Sequence, residues 1–591
     1  MEQIETLPIG EEKIKEFMAV LQRYKTGKSR TEARIVSSEN WWKLRNTAEE
    51  QREGATRADG FSSRSGWLHN VIVSKHADAV EAYPEPNILP REESDREEAR
   101  MLSAIIPCVL EQNHFAQTYS DVIWQKLKTG TGAYKIFWDS SRLGGLGDIG
   151  IQRVNLLNLY WEPGITDLQK SQYLFHTELR DKALLLHKYP FLEGKLGKNT
   201  FTSTRFLYDD PVSDEDKVTV VDVYYRRCLG GKTVLHFCQF VGNTLIYATE
   251  NDTRKRVDIQ GKLRPSPAEA GLYDHGMYPY VFDVLYPVEG SPCGYGFVDL
   301  CRNPQTEIDI LKTAFVKNAR VGAVPRYFSR VDGNVNEEQF LDLEQALVKV
   351  SGNVDEATLR RIEHNTLDGN YIAMLDRTID ELRQTSGNTE VSTGAVGSGV
   401  TAASAIAALQ EASGKGSRDS TLTSYRAFTR LVELTVELIR QFYDMPRSFR
   451  ITGRYGQEQF VTYQNRGIQP VMQPGLEGMG LRLPVFDIKV SAQKKNVYTK
   501  VSQNELALQF FKLGLFDPRV TDQAILCLEM MDFDGKDALL QRLSQRLPMM
   551  QALPEPNTRP KAANLPQGSQ GEHTLVTKAR ERSLNASQPR A

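Results

Sequence analysis

The stretch Ser386-Gly-Asn-Thr-Glu-Val-Ser-Thr-Gly-Ala-Val-Gly-Ser-Gly399, followed at once by Val400-Thr-Ala-Ala-Ser-Ala-Ile-Ala-Ala-Leu-Gln410, decides how this chain is organised. The first part is rich in glycine, serine and threonine, which favour a loop, and the second is rich in alanine, which favours a helix. Around it, residues 304–444 have the pattern of a helix, a compact insert, a second helix, this loop and a very long helix. No catalytic motif accompanies the pattern, so we interpret it as mechanical.

The two helices before the loop are predicted from apolar residues three and four positions apart. In the first helix, Asn303 is expected to be the N-cap and Pro304 the first helical position, where a missing N–H does no harm. Pro325 is expected to end it. The second helix is predicted from about Leu367 to Arg383. The insert between them is expected to contain a strand-like Tyr327-Phe328 and a helix from Glu337 to Val348. The two helices therefore predict a hairpin with a cap.

The long helix is predicted over residues 401–444. Gly414 and Gly416 lie so close together that we expect them to kink or loosen it. Beyond these glycines the apolar side chains form one stripe at helical spacing, which predicts a buried face. The stripe contains Tyr425, Phe428, Val432, Thr435, Ile439 and Phe442.

The remainder of the chain alternates between helical and strand-like patterns. Residues 1–130 are predicted to be mainly helical, and residues 131–290 are strand-rich, with a hairpin turn at Gly144-Gly-Leu-Gly147. Residues 447–500 are expected to return strands to that sheet, and helices follow at 501–514, 520–531 and 536–546. From Pro554 the composition cannot bury a core and predicts disorder. The fold class is therefore α+β.

Composition limits the functional classes. The chain has 591 residues and a formal charge of −2, with a pI near 6.6. Several domains are expected, and bulk attraction to DNA is not. The six cysteines form no CxxC pair, which argues against a zinc ribbon or a redox motif. A secretory signal and a run of apolar residues long enough to cross a bilayer are both missing from the sequence. We therefore expect a soluble protein without membrane contact.

The search for catalytic and cofactor motifs gives only weak matches. Ser413-Gly-Lys-Gly-Ser417 resembles part of a phosphate-binding loop, but Leu409 stands where the first glycine belongs and Gly416 where the hydroxyl belongs. His69 and His76 have no further ligand nearby in sequence, so a metal site is not predicted. Asp376, Asp380 and Glu381 are better explained as an exposed acidic helix face. No enzyme activity, cofactor or catalytic residue is predicted.

A nucleic-acid function has only indirect support from the residues. Lys312, Lys317 and Arg320 fall on the first helix of the hairpin. Scattered basic residues on a helix are usually solvated, but these could also face DNA or a neighbouring subunit. No motif for reading a specific base sequence is present.

In order along the chain, a set of short motifs resembles the portal proteins of tailed bacteriophages over roughly residues 30–500. The motifs are Gly130-Thr-Gly-Ala-Tyr-Lys-Ile-Phe-Trp-Asp139, Gly147-Asp-Ile-Gly-Ile-Gln-Arg-Val154, Asn158-Leu-Tyr-Trp-Glu-Pro-Gly164, Gly294-Tyr-Gly-Phe-Val-Asp-Leu300, Gln305-Thr-Glu-Ile-Asp309, Lys317-Asn-Ala-Arg320 and Gly399-Val-Thr-Ala-Ala-Ser-Ala-Ile-Ala-Ala-Leu-Gln-Glu-Ala412. Pro304 departs from the expected pattern, because it would interrupt the first stem helix early.

The resemblance implies a portal fold with a helical stem and wing, a strand-rich wing sheet and clip, and a helical crown. The implied parts are the wing (1–296), a stem helix (297–324), the clip (325–366), a second stem helix (367–385), the tunnel loop (386–400), the long kinked wing helix with returning strands (401–500), the crown (501–553) and a disordered tail (554–591).

The resemblance further implies a homo-oligomeric ring, typically of twelve subunits, at one capsid vertex of the virion, assembled in the host cytoplasm. Double-stranded DNA would pass through the ring without sequence specificity, during packaging and ejection. The implied partners are the terminase large subunit, head-tail adaptor proteins, the major capsid protein and scaffold. The channel residues would be those of the tunnel loop: Glu390, Thr393, Gly394, Val396, Gly397 and Gly399.

The residues of the loop suit such a role, because a pore through which DNA slides should bind few phosphates, and Glu390 is the one charged residue in it. Two alternatives remain. The chain could be another virion structural protein, such as an adaptor or a scaffold, in which residues 386–400 are a plain linker. A nucleotide-driven motor is the second alternative, and the missing phosphate-binding loop argues against it.

Overall fold

The computed structural model describes most of the chain, and its described segments are 9–44, 64–196, 201–206, 216–229, 231–257, 263–323, 327–329, 359–361, 367–388, 415–452, 458–472, 481–492, 497–514, 521–531, 536 and 539–540. Helices and strands both contribute, in separate stretches, so the predicted α+β class is confirmed. The chain divides into two compact units, Met1–Val501 and Ser502–Ala591.

The first part of the chain is mainly helical, as predicted. Its helices are α1 (Glu11–Trp42), α2 (Trp67–Glu81), α3 (Arg96–Gln112) and α4 (Phe115–Thr129). Between α2 and α3 lies a strand that the sequence did not predict, β1 (Pro84–Pro90), because its three prolines are unusual inside a sheet. Among the described strands β1 pairs with β20 (Phe486–Ala492) alone, and proline is tolerated in a strand at the edge of a sheet.

The strand-rich part contains two antiparallel sheets. The first has the order β11-β2-β3, with β2 (Thr131–Asp139), β3 (Asp148–Arg153) and β11 (Tyr280–Val284). The second has the order β4-β5-β6-β7-β8, with β4 (Leu159–Tyr160), β5 (Tyr173–Asp181), β6 (Lys217–Leu229), β7 (Lys232–Val241) and β8 (Thr244–Ala248). The predicted turn at Gly144–Gly147 connects β2 to β3, and its glycines have positive φ.

Six further strand pairs are small. They are β1 with β20, β9 (Arg256–Val257) with β10 (Leu263–Arg264), β12 (Tyr286–Pro287) with β13 (Gly294–Tyr295), β14 (Tyr327–Ser329) with β15 (Leu359–Arg361), β16 (Arg447–Thr452) with β17 (Glu458–Tyr463), and β18 (Val471–Met472) with β19 (Leu481–Arg482). The prediction that residues 447–500 return to the earlier sheet is therefore wrong. β16 pairs with a strand that follows it closely, which costs less loop-closure entropy than pairing with a distant one.

The long helix forms the centre of the main core. The structure shows this helix as α9 (Lys415–Phe442). It packs against α4 and the β11-β2-β3 sheet and buries Phe428, Leu431, Val432 and Ile439. Each such side chain contributes about 1.5–3 kcal/mol by leaving water. The predicted apolar stripe is thus confirmed. Gly416 lies in the first turn, and the helix is continuous from Lys415 onward. Gly414 and residues 401–413 lie outside the described residues.

The predicted hairpin consists of α7 (Phe297–Ala323) and α8 (Gly369–Ser386), with β14 and β15 between them. The expectation that the first helix begins at Pro304 is wrong, since Pro304 lies inside α7. The start implied by the family resemblance, residue 297, agrees with the structure. Proline inside a helix removes the hydrogen bond to the carbonyl four residues earlier, and its ring crowds that carbonyl. Buried Phe297, Val298 and Cys301 hold the first turns against the core.

The remaining described helices are α5 (Lys182–Lys188), α6 (Pro267–Ala270), α10 (Val497–Lys512) and α11 (Thr521–Met530). α10 and α11 correspond to the first two helices predicted after residue 500. The helix predicted at 337–348, the tunnel-loop residues beyond Asn388 and the tail from Pro554 lie outside the described residues.

Candidate functional site

The hairpin of α7 and α8 is the candidate site, because it carries the predicted basic residues and leads into the predicted loop. The two helices contact each other, and on α8 the side chains of Leu375, Thr378, Ile379 and Leu382 are buried or half-buried. This spacing of three and four residues agrees with the pattern from which the helix was predicted. Tyr371, one turn earlier, is 45% exposed, so the first turn of α8 keeps apolar surface available.

Two of the glycine-containing motifs meet where α7 begins. The carbonyl of Gly130 accepts the N–H of Leu285 at 2.9 Å, and the hydroxyl of Thr131 accepts the N–H of Gly294 at 2.8 Å. Gly130 has φ +88, and a Cβ there would lie 2.3 Å from the carbonyl carbon of Tyr295. Only glycine fits this contact. The motifs that begin at Gly130 and at Gly294 thus form one junction, which fixes the first turn of α7 to the end of α4.

The polar side chains of α7 hold the start of α2. Gln305 Oε1 accepts the N–H of Leu68 at 3.0 Å, and Gln305 Nε2 donates to the carbonyl of Ser65 at 3.0 Å. Asp309 Oδ1 accepts the N–H and the hydroxyl of Ser65 at 2.9 and 2.7 Å. The first N–H groups of a helix have no partner within the helix, so Gln305 supplies the cap that Gly66 cannot. The stem helix is in this way joined to α2.

A second set of contacts joins α7 to α1. Arg302 Nη2 donates to Ser37 Oγ at 3.2 Å, and its guanidinium lies 5.8 Å from the ring centre of Trp41. Arg34 Nη2 donates to the carbonyl of Gly294 at 2.6 Å. Trp41 is half-buried and packs against the main core. The first half of α7 is therefore held on two sides.

The predicted basic residues are spread over part of the circumference of α7. Lys312, Lys317 and Arg320 are all exposed. At about 100° per residue, Lys317 and Arg320 lie about 60° apart around the helix axis, but Lys312 lies about 140° from Lys317. Lys317 borders a surface pocket with Trp41 and Ile310. Arg320 lies between the two lysines, about 80° from Lys312, so the three side chains span an arc of about 140°. That they face DNA or a neighbouring subunit stays a prediction.

The start of α9 is fixed by a buried charge. Lys126 of α4 forms an ion pair with Asp283 of β11 at 2.7 Å, and its ammonium also donates to the carbonyl of Ser420 at 2.9 Å and the hydroxyl of Ser424 at 2.7 Å. Ser424 in turn donates to Asp283 Oδ2 at 2.8 Å. Burial lowers the pKa of Lys126, and Asp283 opposes this effect. These contacts hold the helix that follows the predicted loop.

The five-stranded sheet contains another buried group of charges, at β5 and β6. Burial alone would raise the pKa of Asp222, but His176 at 3.8 Å, the charge of Lys135 and a hydrogen bond from Gln239 lower it to about 2. Asp222 is consequently ionised over the whole physiological range. Its partners come from β5, β7 and, in the three-stranded sheet, β2, so we interpret the group as structural.

Within the described residues, no group of three or more metal-binding side chains could hold an ion. No described helix is both long enough and apolar enough to cross a bilayer. What the site provides is a hairpin attached rigidly at its base, with exposed apolar and basic side chains further along: Ile310, Ile372 and Met374, and Lys312, Lys317 and Arg320.

Comparison with known proteins identifies the class. The model of the phage P22-like portal protein family matches residues 77–255 and 277–588, which is most of the chain. The protein is thus a phage portal protein, the class that its ordered motifs resemble. Within that class it belongs to the P22-like portal protein family. No curated protein sequence matches the chain. Membership makes the protein a structural component of the phage capsid.

Three residues that hold the hairpin and the long helix in place were not singled out from the sequence. Gln305 belongs to the motif Gln305–Asp309, but the sequence assigned it no role. Lys75 and Lys126 lie in apolar helical segments. The signal that could have found the lysines is a single charge among buried positions, as in Val71, Ile72 and Ala79 around Lys75. Such a charge must find partners inside the fold.

The predicted channel residues lie outside the described residues, so their assignment stays a prediction. They are Glu390, Thr393, Gly394, Val396, Gly397 and Gly399.

Proposed function

We propose that this portal protein forms a ring of twelve copies at one capsid vertex, and that double-stranded DNA passes through the ring during packaging and ejection. Family membership supports the portal role. The hairpin base adds physical support, because a channel under load needs stem helices that do not rotate independently of the wing. Gln305, Asp309 and Arg302 provide that attachment.

The proposed parts are the wing (1–296), stem helices (297–324 and 367–385), clip (325–366), tunnel loop (386–400), long wing helix and following strands (401–500), crown (501–553) and tail (554–591). In this arrangement the terminase large subunit, and afterwards the head-tail adaptor proteins, dock on the clip. The major capsid protein and scaffold contact the ring during assembly in the host cytoplasm. The exposed Ile310, Ile372 and Met374 suit contacts between neighbouring stems, because apolar patches commonly mark interfaces.

The proposed channel binds DNA without reading its sequence. Glu390 is the one charge between Ser386 and Gly399, and few phosphate contacts mean little counterion release and weak binding. The ring acts as a conduit, and it catalyses no step. Rings of the purified protein are expected to hydrolyse no ATP in the absence of terminase.

Electron microscopy of the purified full chain tests the ring. We expect closed rings with a central hole, and twelve subunits by mass measurement of the intact assembly. Monomers that persist at high concentration with scaffold present would contradict the proposal. An open or differently numbered assembly would favour the adaptor reading, in which residues 386–400 are a linker.

Substitutions in the proposed tunnel loop test the channel. Gly394→Trp and Gly397→Asp are expected to leave ring formation intact and to reduce DNA packaging or retention in a phage complementation assay. Gly10→Trp and Gly10→Asp are matched controls, because Gly10 is exposed, has no positive φ and has open space around it. Normal packaging by both loop variants would refute the assignment of residues 386–400 to the channel.

A further inference from the structure

A single lysine contacts the chain at the start of the proposed tunnel loop and in the long helix that follows it. Lys75 of α2 is 6% exposed. Its ammonium donates to the carbonyl of Gly387 at 3.3 Å and to the hydroxyl of Ser417 at 3.1 Å. Gly387 follows the last residue of α8, and Ser417 lies in the first turn of α9. The two contacts are about thirty residues apart in sequence, yet they share one donor group.

The neighbours of Lys75 on α2 strengthen the same contact. Ser417 donates its hydroxyl proton to Asp78 Oδ2 at 2.8 Å, and Ser74 donates to Asn388 Oδ1 at 3.3 Å. One turn of α2 therefore holds the chain where it leaves α8 and where it enters α9. We call Lys75, Asp78 and Ser417 the loop anchor.

The local geometry makes Gly387 a suitable partner. It has φ +66, in the left-handed region, and its N–H is bonded to the carbonyl of Gln384. This conformation ends α8 and leaves the Gly387 carbonyl available to Lys75. A Cβ at this position would lie 3.6 Å from Lys75 Nζ. That distance is an ordinary van der Waals contact, so the left-handed turn is what favours glycine here.

The desolvation cost of the buried Lys75 ammonium favours the state in which its hydrogen bonds are kept. A largely buried ammonium that loses its hydrogen-bond partners suffers an uncompensated desolvation cost. Burial lowers the pKa of Lys75, and Asp78 counteracts this effect. The charge thus favours the arrangement in which Gly387 and Ser417 are both in place, because that arrangement provides acceptors from both sides.

We propose that Lys75 is a positioning residue for the channel: it ties to α2 the chain on either side of residues 389–414, at Gly387 and at Ser417. The positioning role rests on the proposed function of the channel, whereas the contacts of Lys75 do not depend on it. Since α2 is held in turn by Gln305 of α7, the anchor connects the proposed loop to the stem. Lys75 precedes the first family-matched residue, 77, so the family match does not assign it.

Limited proteolysis of purified full-length rings tests the anchor. In Lys75→Met we expect intact rings and cleavage within residues 389–414 that is roughly tenfold faster than in the wild type, with the rest of the chain cleaved at its usual rate. Lys75→Arg keeps the charge and a donor and should restore much of the protection. Lys170→Met, at an exposed lysine of the wing, is the control and should change nothing.

Ser417→Ala provides an independent variant if Lys75→Met fails to form rings. It should accelerate the same cleavage by a smaller factor, and the double variant should be no faster than Lys75→Met alone, because both changes disrupt one set of contacts. Unchanged cleavage in both single variants, additive effects, or equal acceleration along the whole chain would each overturn the anchor.

Packaging assays separate the anchor from the channel assignment. If Lys75→Met and the loop glycine variants both reduce DNA packaging or retention, the positioning role is supported. If cleavage accelerates but neither Lys75→Met nor the glycine variants affect packaging, the anchor is retained and the channel assignment fails. If the glycine variants impair packaging while Lys75→Met and Ser417→Ala package normally, the positioning role is overturned.

Discussion

The ammonium of Lys126 lies 2.7 Å from Oδ1 of Asp283, and both side chains are at most 1% exposed. The pair connects α4 to β11, and through Ser420 and Ser424 it also fixes α9. Two charges buried this deeply are tolerated because each compensates the other and because the hydroxyl groups of α9 complete the hydrogen bonding.

Removal of one member of this pair should destabilise the protein strongly. We expect Asp283→Ala to lower the free energy of unfolding by about 3–5 kcal/mol, because it leaves a buried ammonium without its counter-charge. Denaturant unfolding of the unassembled chain measures the effect. The exposed pair Arg430–Glu433 is the control, and Glu433→Ala should cost less than about 1 kcal/mol. Similar losses in the two variants would show that burial of the Lys126 pair is not decisive.

Alanine at Gly130 tests the junction at the base of the stem. Gly130 and Gly144 both have positive φ, but a Cβ at Gly130 would overlap Tyr295, whereas Gly144 has open space. We expect Gly144→Ala to cost about 1 kcal/mol through backbone conformation alone, and Gly130→Ala about 3 kcal/mol or more through the added overlap. The midpoint of thermal unfolding of each variant checks the order, and equal midpoints would contradict the close contact.

The cap that Gln305 provides can be removed separately. Gln305→Ala leaves the N–H of Leu68 and the carbonyl of Ser65 without their partner, so we expect a loss of about 1–3 kcal/mol and faster hydrogen exchange in the first turn of α2. Glu307→Ala, at an exposed position two residues further along the same helix, should stay within about 0.5 kcal/mol of the wild type. Unchanged exchange in α2 after loss of Gln305 would argue against the cap.

Lys28 gives a pH dependence with a definite sign. Burial lowers its pKa from 10.5 to about 8, although Glu32 opposes the effect. Between these values the unfolded chain retains a proton that the folded chain has lost, so the contribution of Lys28 to stability rises with pH. Lys28→Met lacks this contribution. We therefore expect the stability of the wild type relative to Lys28→Met to increase by about 2 kcal/mol between about pH 7 and pH 9.5.

The measurement is denaturant unfolding of both proteins at the two pH values. Other groups titrate equally in the two proteins, so their contributions cancel in the difference. Lys170→Met, which removes an exposed lysine, should show no such trend. A difference that is constant with pH would mean that the ammonium of Lys28 keeps an ordinary pKa in the fold.

The sequence predicted best those elements whose pattern is set by local burial. Residues 217–248 lie in the stretch that was predicted to be strand-rich, although Val218 to Tyr225 are buried without a break, and the stripe from Tyr425 to Phe442 follows one helix face. By contrast, the apolar period of α1 weakens beyond Tyr24, because the second half of the helix buries Lys28 and Glu32. The proline-rich β1 and the interior position of Pro304 were missed for a similar reason, since tertiary packing outweighed the local preference.

The contacts of the candidate site could not be predicted in the same way. Lys75 and Ser417 are separated by 342 residues in sequence, and Lys126 and Ser424 by 298. Helical periodicity shows that a lysine lies on an apolar face, but not which distant residue it meets. The ordered motifs indicated the family because order along the chain is itself sequence information, whereas the anchor consists of isolated residues in unrelated stretches.

The small pair of β14 and β15 has a consequence for engineering. Ser329 is paired with Leu359 across the two strands, so their Cα atoms are about 5 Å apart, as in any antiparallel pair. A foreign domain whose own ends lie equally close could replace residues 330–358 without spreading the stem helices. The hairpin would then serve as an exchangeable socket for a foreign domain.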